Sequence, residues 1–404
     1  MGIISNRLNQ LKESATLAMA KKSRELKAQG IDVINLSIGE PDFDTPNFIK
    51  EAAKQAIDEN YTHYTPVPGY QDLRESICKK LKRDNGVDYT PNQIVVSTGA
   101  KQSISNVFTS LLNPGDEVIV PAPYWVSYVD MIKLAEGDVK IIQTDIAHDF
   151  KVTAEEIKNN ITNKTKALIF SSPCNPTGTV YTKDELKSIA DLLSKFPHIS
   201  IISDEIYEHI NFDGHHQSIA QFEEVKDQVV IVNGVSKGFA MTGWRLGFIA
   251  ASEEIAKACS KLQGQTTSGT NSIAQRAAIT AFNANPKEND EIQNMVHSFH
   301  KRRDLLIELL SKIDGFNLNT PPGAFYLFPN ITGFFGKSAG KYTIKNATDI
   351  TMYILEEANV ACVTGEAFGD PNCIRISYAA AESKLRDAAD RIAKACNKLV
   401  EVQS

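Results

Sequence analysis

Lys237 and Arg245 lie in a setting that suggests covalent chemistry. Lys237 stands among small residues in NGVSKGFAMTGWRLGF (233–248), where the apolar run VVIVN ends, and Arg245 follows eight residues later. Partial burial of a lysine lowers its pKa from about 10.4 and favours the free, nucleophilic amine. Taken alone, however, a lysine in a loop is far more often solvated than catalytic.

The segment SDEIYEH, which follows the apolar run ISIIS, offers a carboxylate and a phenol. Asp204 stands at the end of the predicted strand and Tyr207 comes three residues later, so one helical turn would place both on the same face. A carboxylate in that position could pair with a ring nitrogen and keep it protonated. From this segment alone, a helix N-cap is an equally good explanation of Asp204.

Three more polar segments begin where other predicted strands end. In SSPCNPTG, two prolines and a glycine around Asn175 favour a stiff turn that presents the amide, which we interpret as functional rather than a plain turn. In STGAKQS, the backbone N–H groups of Gly99, Ala100 and Lys101 at a predicted helix N-terminus would suit a phosphate, although many helices begin this way. In PAPYWVSY, Trp125 is expected in the core, but beside a cofactor it could stack on a flat ring.

The elements that position these residues alternate between short apolar runs and helix-like stretches from about residue 90 to 250. Continuous apolar runs are typical of strands buried on both faces, and strand–helix alternation indicates an α/β fold with a mostly parallel sheet between helices. Such sheets bind ligands at the carboxyl ends of their strands. The seven predicted strands are IVVS (94–97), VIVP (118–121), VKII (139–142), ALIFS (167–171), ISIIS (199–203), VVIVN (229–233) and GFIAA (247–251).

The two ends of the chain differ from this alternating centre. The first residues are typical of a mostly helical arm ended by Gly30, and long helices around a few short strands dominate after about residue 285. We predict an N-terminal arm with part of a small domain (1–45), a large domain with the sheet (46–285) and a small C-terminal α+β domain (286–404). The arm and the last third would form one small unit.

Composition is typical of an ordinary globular protein. The chain has 404 residues and a formal charge of −6 at pH 7, and this mild acidity argues against a nucleic-acid or membrane-surface partner. The six cysteines form no CxxC pair, so we interpret them as reduced thiols. Because the sequence contains neither an apolar run of membrane-helix length nor a recognisable signal peptide, we expect a cytoplasmic protein.

Other familiar signatures fail on spacing or context. GxGxxG does not follow any predicted strand, which leaves a nicotinamide site with little support. The run ITGFFGKS ends like a phosphate-binding P-loop, but the required first glycine would fall at Ile331. His297 and His300, three apart on a predicted helix, have neither an HExxH motif nor a nearby carboxylate. We interpret them as solvent-facing and expect no metal site.

Taken together, these segments resemble the class I aminotransferases, which are fold type I pyridoxal-phosphate enzymes. They are most similar to the bacterial aspartate aminotransferase subgroup, which includes prephenate-accepting members. The resemblance covers nearly the whole chain, from SIGEPDFDTP to IRISYA, and NPTG, DEIY and SKxxxMxGWRxG in this order and separation are highly specific in combination. It implies the fold of that family, with pyridoxal 5′-phosphate bound by the large domain.

The resemblance also implies roles around the cofactor ring. Lys237 would bind the cofactor covalently and later move a proton at the substrate Cα, and Asp204 would pair with the pyridine nitrogen. Asn175 and Tyr207 would hydrogen-bond the ring 3′-oxygen. Trp125 would stack on the ring face, and together with Asn175 it would also contact the substrate.

At the other end of the cofactor, the resemblance implies a set of phosphate ligands. They are the backbone of Gly99, Ala100 and Lys101, together with Ser236 and Arg245. Tyr64, in HYTPVPG, resembles the residue that reaches the phosphate of the neighbouring subunit, which implies a homodimer with shared active sites. Ala100 departs from the family pattern, because relatives often have a second glycine there and a methyl group could crowd the ligand.

Substrate recognition follows from four further positions. Arg375, in IRISYA, would bind the substrate α-carboxylate with its guanidinium fork, and Gly39, in SIGEP, would allow close approach of the backbone. Lys101 would meet the distal carboxylate of aspartate or glutamate. Lys12, in the arm, resembles a position linked to prephenate acceptance.

We therefore expect an aspartate transaminase that converts L-aspartate and 2-oxoglutarate into oxaloacetate and L-glutamate by a ping-pong mechanism. The partners would be small amino acids and 2-oxo acids. The nearest alternative is a prephenate or aromatic amino-acid aminotransferase of the same fold, and a β-lyase is a further one. The intact Lys237 argues against a regulatory protein that has kept the fold and lost catalysis.

Overall fold

The computed structural model describes residues 3–11 and 15–401. In chain order the strands are β1 Ile34–Asn35, β2 Ile94–Ser97, β3 Glu117–Ala122, β4 Asp138–Gln143, β5 Thr165–Ser171, β6 Ser200–Asp204, β7 Val229–Gly234, β8 Gly247–Ala250, β9 Tyr326–Leu327, β10 Lys337–Ala339, β11 Tyr342–Thr343, β12 Val360–Ala361, β13 Val363–Thr364, β14 Ile374–Ser377 and β15 Val400–Glu401. The α-helices are α1 Asn6–Asn9, α2 Ala15–Ala28, α3 Asn47–Asp58, α4 Gln71–Asn85, α5 Ala100–Leu111, α6 Ser127–Leu134, α7 Ala154–Asn160, α8 Lys183–Leu193, α9 Glu253–Thr266, α10 Ser272–Asn283, α11 Asp290–Leu310, α12 Ala347–Ala358 and α13 Glu382–Cys396. Short 3₁₀ helices span Pro91–Gln93, Ile146–His148, Ile219–Gln221, Lys226–Gln228, Thr242–Trp244, Thr332–Phe334 and Gly365–Phe368.

The seven strands β2 to β8 form one sheet in the order β2-β8-β7-β6-β5-β3-β4. Strand β8 is antiparallel to both of its neighbours, and the other neighbouring pairs are parallel. All seven strands predicted from the sequence are present, with ends that differ by at most two residues. The prediction of an α/β fold with a mostly parallel sheet is therefore confirmed.

Both faces of this sheet are buried, as the continuous apolar runs indicate. In β7, Val229 and Ile231 pack into one hydrophobic cluster, and Val230 and Val232 pack into another on the opposite face. All four side chains are fully buried. Burial of such a side chain contributes about 1.5–3 kcal/mol, so the sheet is a rigid platform for the residues at its edge.

Local sequence signals set the ends of the helices around the sheet. The hydroxyl of Thr182 accepts from the N–H of Glu185, whose side chain accepts in turn from the backbone of Thr182, so this capping box begins α8. Helix α5 begins after Gly99, whose φ of 85° lies in the left-handed region that glycine adopts readily. This glycine therefore allows β2 to turn sharply into α5 at the carboxyl edge of the sheet.

A second hydrophobic cluster joins the N-terminal segment to the last third of the chain. Strand β1 pairs in parallel with β12, and Ile34 and Leu36 pack in one cluster with residues of α11, α12 and α13. This packing favours a joint small unit, although the domain boundaries at 45 and 285 stay predictions. The short strands expected in this last third are present, and β9 is one of them, with Tyr326 and Leu327 paired to β14.

Neither membrane spans nor disulfides are found among the described residues. No helix in residues 3–11 and 15–401 is both long and apolar enough to cross a membrane. All six cysteines are free, which confirms the interpretation of the cysteine pattern as unpaired thiols.

Candidate active site

The predicted site residues meet in a cavity of about 320 Å³ at the carboxyl ends of the parallel strands. The turns after β2, β3, β5 and β7 and the end of β6 all contribute to it, which is where an open α/β sheet binds ligands. The predicted residues that line this cavity are Gly39, Ala100, Lys101, Trp125, Asn175, Asp204, Tyr207, Ser236, Lys237, Arg245 and Arg375.

Lys237 lies on the turn after β7 and its ammonium group faces the cavity. Its Nζ donates to the carbonyl oxygen of Gly39 at 2.6 Å. The side chain is partly buried, and this burial lowers the pKa of Lys237 from 10.5 to about 8. This lowered pKa brings the free amine of Lys237 closer to neutral pH, in the direction predicted from the sequence.

Asp204 is the last residue of β6 and lies at the bottom of the cavity. Burial raises the pKa of Asp204 from 3.8 to about 6, and a hydrogen bond from the Tyr128 hydroxyl at 2.6 Å opposes this rise. A non-helical turn follows β6, so Asp204 is not a helix N-cap. That turn still brings Tyr207 to the same cavity, as the spacing predicted.

Tyr207 forms a buried pair with Tyr326 from β9. Their hydroxyl groups are 2.6 Å apart, and the Nζ of Lys237 lies 5.7 Å from the centre of the Tyr207 ring. A Cβ on Gly39 would collide with the Tyr326 hydroxyl, so only glycine allows this close approach of the backbone. The two phenols are joined by one hydrogen bond, in which either hydroxyl can be the donor.

Arg375, on β14, is a buried cation at the wall of the cavity, only 2% exposed. Its guanidinium donates to the side-chain oxygen of Asn175 at 2.9 Å and to the carbonyl of Ser37 at 2.6 Å. Its Nε has no hydrogen-bond partner among the described residues. Because the ordinary partner of a buried arginine is a carboxylate or phosphate, this arrangement is suited to an anionic ligand.

Cations and backbone N–H groups converge at the N-terminus of α5. The guanidinium of Arg245 packs against Gly99, where a Cβ would lie 3.0 Å from the Cζ of Arg245. Lys101 lies over Trp125, with 5.1 Å between its Nζ and the ring centre, and burial lowers the pKa of Lys101. With Ser236 beside them, these groups lie at the positive end of a helix, an arrangement that is suited to an anion.

Two of the predicted site residues that the structure describes do not line this cavity. Gly99 is behind it, against Arg245, and contributes through the backbone. Tyr64 is 99% exposed and is not among the residues that line the cavity of this chain. Lys12 lies outside the described residues.

Two buried tyrosines at the site were missed from the sequence. Tyr128 binds Asp204, and Tyr326 binds Tyr207. Tyr128 follows Trp125 by one helical turn in PAPYWVSY, a spacing that pointed to a shared face. Tyr326 lies in a different part of the chain, within AFYLF, and local sequence contains no signal that brings it to Tyr207.

These residues fit pyridoxal 5′-phosphate. The cavity combines one nucleophilic amine, one buried carboxylate, an aromatic face and a helix N-terminus with Arg245 for a phosphate. The unpaired donor on Arg375 leaves a second anion site for a substrate carboxylate. Lys237, Asp204, Trp125, Ser236 and Arg245 would hold the cofactor.

Comparisons with known proteins agree with this geometry. Residues 31–392 match the family described as aminotransferase class I and II. A probable aspartate/prephenate aminotransferase from Rickettsia bellii is 48% identical over 99% of this chain and 100% of its own. The crystal structure of an aspartate aminotransferase from Rhizobium meliloti has a TM-score of 0.95 at 39% identity, covering 99% of this chain and 100% of that one. An aspartate aminotransferase from Thermus thermophilus with maleate has a TM-score of 0.92 at 38% identity, covering 98% of this chain and 100% of that one. The chain therefore belongs to the class I and II aminotransferases, and it is a pyridoxal-phosphate-dependent enzyme of fold type I.

Proposed function

We propose that the enzyme moves the amino group between L-aspartate and 2-oxoglutarate, which gives oxaloacetate and L-glutamate. The observation that carries this proposal is a pair of cations, Arg375 and Lys101, that line the same cavity as Lys237. A dicarboxylate offers one carboxylate to each of them. The names of the relatives support this substrate class, since the relatives are called aspartate aminotransferases and the Thermus protein is described with maleate, a dicarboxylate.

Different residues of the cavity have different roles in this reaction. Pyridoxal phosphate, when bound, supplies an electron sink for the bond that breaks at the substrate Cα. Lys237 takes the proton from Cα and returns it, because its depressed pKa makes the free amine accessible. The carboxylate of Asp204, which lines the cavity, would pair with the pyridine nitrogen of the cofactor and stabilise its positive charge. Arg375 and Asn175 orient the α-carboxylate of the amino acid and, after the first product has left, that of the 2-oxo acid, which is a ping-pong order.

Substrate preference can be tested on one lysine with a matched control. Replacement of Lys101 by Met removes the charge that would meet the distal carboxylate, so kcat/KM for aspartate should fall by roughly tenfold to a hundredfold. The value for an amino acid without a distal charge should change little. Lys257→Met, on the exposed face of α9 beside Glu253, is the control and should leave both values unchanged. Equal losses for both substrates in Lys101→Met would contradict this role of Lys101.

A second candidate substrate is prephenate or an aromatic amino acid. The cavity also has apolar walls formed by Leu17, Trp125 and Ile206, and the Rickettsia relative is named for prephenate as well as aspartate. Comparison of kcat/KM for aspartate, prephenate and phenylalanine with one amino-group partner would rank them. If Lys12→Ala leaves the prephenate-to-aspartate ratio unchanged, Lys12 has no selective role.

We further propose a homodimer with shared active sites. Tyr64 is a large aromatic residue that is almost fully exposed, and it lines a shallow groove with Gly269 and Thr270. A complementation assay tests the sharing of sites directly. Tyr64→Ala and Lys237→Ala chains, each inactive or weak alone, should regain activity when mixed and refolded together, because one site of the mixed dimer contains both native residues. If the mixture stays inactive while dimers form, the site is not shared.

We also propose that the enzyme acts in the cytoplasm. Six free thiols accord with a reducing compartment. Fractionation of cells with an antibody against the chain tests this location, and recovery outside the cytoplasmic fraction would contradict it.

A further inference from the structure

A second cavity, of about 520 Å³, lies outside the active site and is rich in histidine. Five of the eight histidines of the chain line it: His209, His215, His216, His297 and His300. They come from the loop after β6 and from α11, which are distant in sequence. The cavity therefore gathers imidazoles that the transamination reaction does not use.

Three potential metal ligands lie close together beside this cavity, and two of them, Glu208 and His216, line it. Glu205, Glu208 and His216 each offer one ligand atom, and these three atoms all lie within 4.8 Å of one another. Ligands in a tetrahedral zinc site are about 3.3 Å apart, since each bond is about 2.0–2.1 Å long. We propose that these three side chains bind one divalent transition-metal ion, for which Zn²⁺ is the best match, and that the histidine-rich cavity is its entry path.

Unpartnered buried atoms support this assignment independently of the clustering. The His216 side chain is only 5% exposed, yet neither ring nitrogen has a hydrogen-bond partner among the described residues. Oε2 of the fully buried Glu205 also lacks one. The Nε2 of His216 lies 3.0 Å from that oxygen, an ion-pair distance without the alignment of a hydrogen bond. A shared cation would satisfy both atoms at once.

The neighbouring side chains orient the two carboxylates as a supporting shell does in metal sites. Ser203 and Ser218 donate to the other oxygen of Glu205, at 2.9 and 2.7 Å, which leaves Oε2 free to bind an ion. The amide of Asn85 donates to Glu208 at 3.0 Å. Such partners fix the ligand orientation before the metal arrives.

Lys80 is the main opposing charge. It is buried and forms an ion pair with Glu208, so it repels an incoming cation. Three carboxylates, those of Glu205, Glu208 and Asp84, oppose the ammonium groups of Lys80 and of Lys287, which also lines the cavity. We therefore infer binding that is weakened by Lys80 but favourable.

The position of this site indicates a structural role. Glu205 is the neighbour of Asp204, and Glu208 is the neighbour of Tyr207. A metal ion bound by Glu205, Glu208 and His216 would connect both ends of the loop that follows β6. It would thereby stiffen the segment that presents Asp204 and Tyr207 to the cofactor.

Calorimetric titration of the chelator-treated holoenzyme with zinc chloride tests the proposal. We expect one saturable site per chain, loss of at least about tenfold in affinity in His216→Asn, and unchanged affinity in His198→Asn, a control histidine that is exposed and distant. Zinc should also raise the melting temperature of the wild type and of the control but not of His216→Asn. Absence of a saturable site in the wild type, or equal affinity in His216→Asn, would overturn the proposal.

A second measurement does not depend on how well the His216 variant folds. The wild-type holoenzyme titrated with Co²⁺ should develop the visible absorption of a four-coordinate site, and Glu205→Gln should lose it while Glu51→Gln, an exposed glutamate of α3, retains it. Six-coordinate absorption only, or the same spectrum in Glu205→Gln, would contradict a site built from these ligands.

Discussion

Replacement of Tyr128 by Phe should shift the titration of the site, because Tyr128 gives Asp204 its one side-chain hydrogen bond in the described chain. The bond is 2.6 Å long, and both residues are buried. A hydrogen bond to a charged group contributes about 1.5–3 kcal/mol, and 1.36 kcal/mol corresponds to one pKa unit. Burial already raises the pKa of Asp204 to about 6, so loss of the bond should move its titration upward by roughly 1 to 2 pH units.

The consequence is a neutral Asp204 near pH 7 in the variant, which can no longer hold a positive charge on the cofactor. Cofactor affinity can be measured by fluorescence while the pH is lowered from 9 to 5. The affinity should begin to fall at a higher pH in Tyr128→Phe than in the wild type, because Asp204 of the variant is protonated at a higher pH. Protonation of the cofactor itself affects both affinity curves equally, so it does not contribute to the difference between the variant and the wild type. Tyr353→Phe, which removes a buried hydroxyl bound to Ala395 far from the cavity, is the control and should leave the curve unchanged. Superimposable curves for Tyr128→Phe and the wild type would show that the Tyr128 hydroxyl does not lower the pKa of Asp204.

Three further predictions follow from the same cavity. Arg375→Lys replaces the two-pronged guanidinium by a single ammonium group, so KM for aspartate in steady-state kinetics should rise roughly tenfold to a hundredfold. An unchanged KM would show that Arg375 does not bind the substrate. Gly39→Ala would push the Tyr326 hydroxyl away from Tyr207, so kcat should fall while the melting temperature stays near that of the wild type; full activity would contradict the close approach. Because the pKa of Lys237 is lowered from 10.5 to about 8, the folded apoprotein binds fewer protons than the unfolded chain between these values, and its stability should rise with pH there. The gain in the free energy of unfolding is at most about 3 kcal/mol, and contact of Lys237 with solvent in the cavity reduces it. Urea unfolding at several pH values should show this gain in the wild type but not in Lys237→Met.

The sheet could be predicted from the sequence because its strands are buried on both faces. A continuous apolar run such as VVIVN suits a strand that is buried on both faces. The predicted strand ends therefore agree with the observed ones to within two residues. The polar residues that directly follow those runs then had to meet at one edge of the sheet. The sequence alone therefore predicts that Asn175, Asp204 and Lys237 lie near one another, and all three line the cavity.

Contacts between distant segments could not be predicted in this way. Tyr326 and Ser37 reach the site from the last third of the chain and from the N-terminal segment, and only tertiary packing decides which residue faces Tyr207 or Arg375. The same limit applies to the second cavity. His297 and His300 were expected to face solvent without ligands nearby, and His300 is in fact half-buried beside Phe212 and the loop histidines.

The assignment of Lys237 as the residue that binds pyridoxal phosphate is the centre of this account, and chemical trapping tests it most directly. The purified holoenzyme is reduced with borohydride, which makes the link between lysine and cofactor permanent, and is then digested and mapped by mass spectrometry. We predict that the pyridoxyl group is found on Lys237 alone and that Lys237→Ala carries none. A label on Lys101 or on another lysine, with Lys237 unmodified, would contradict the account.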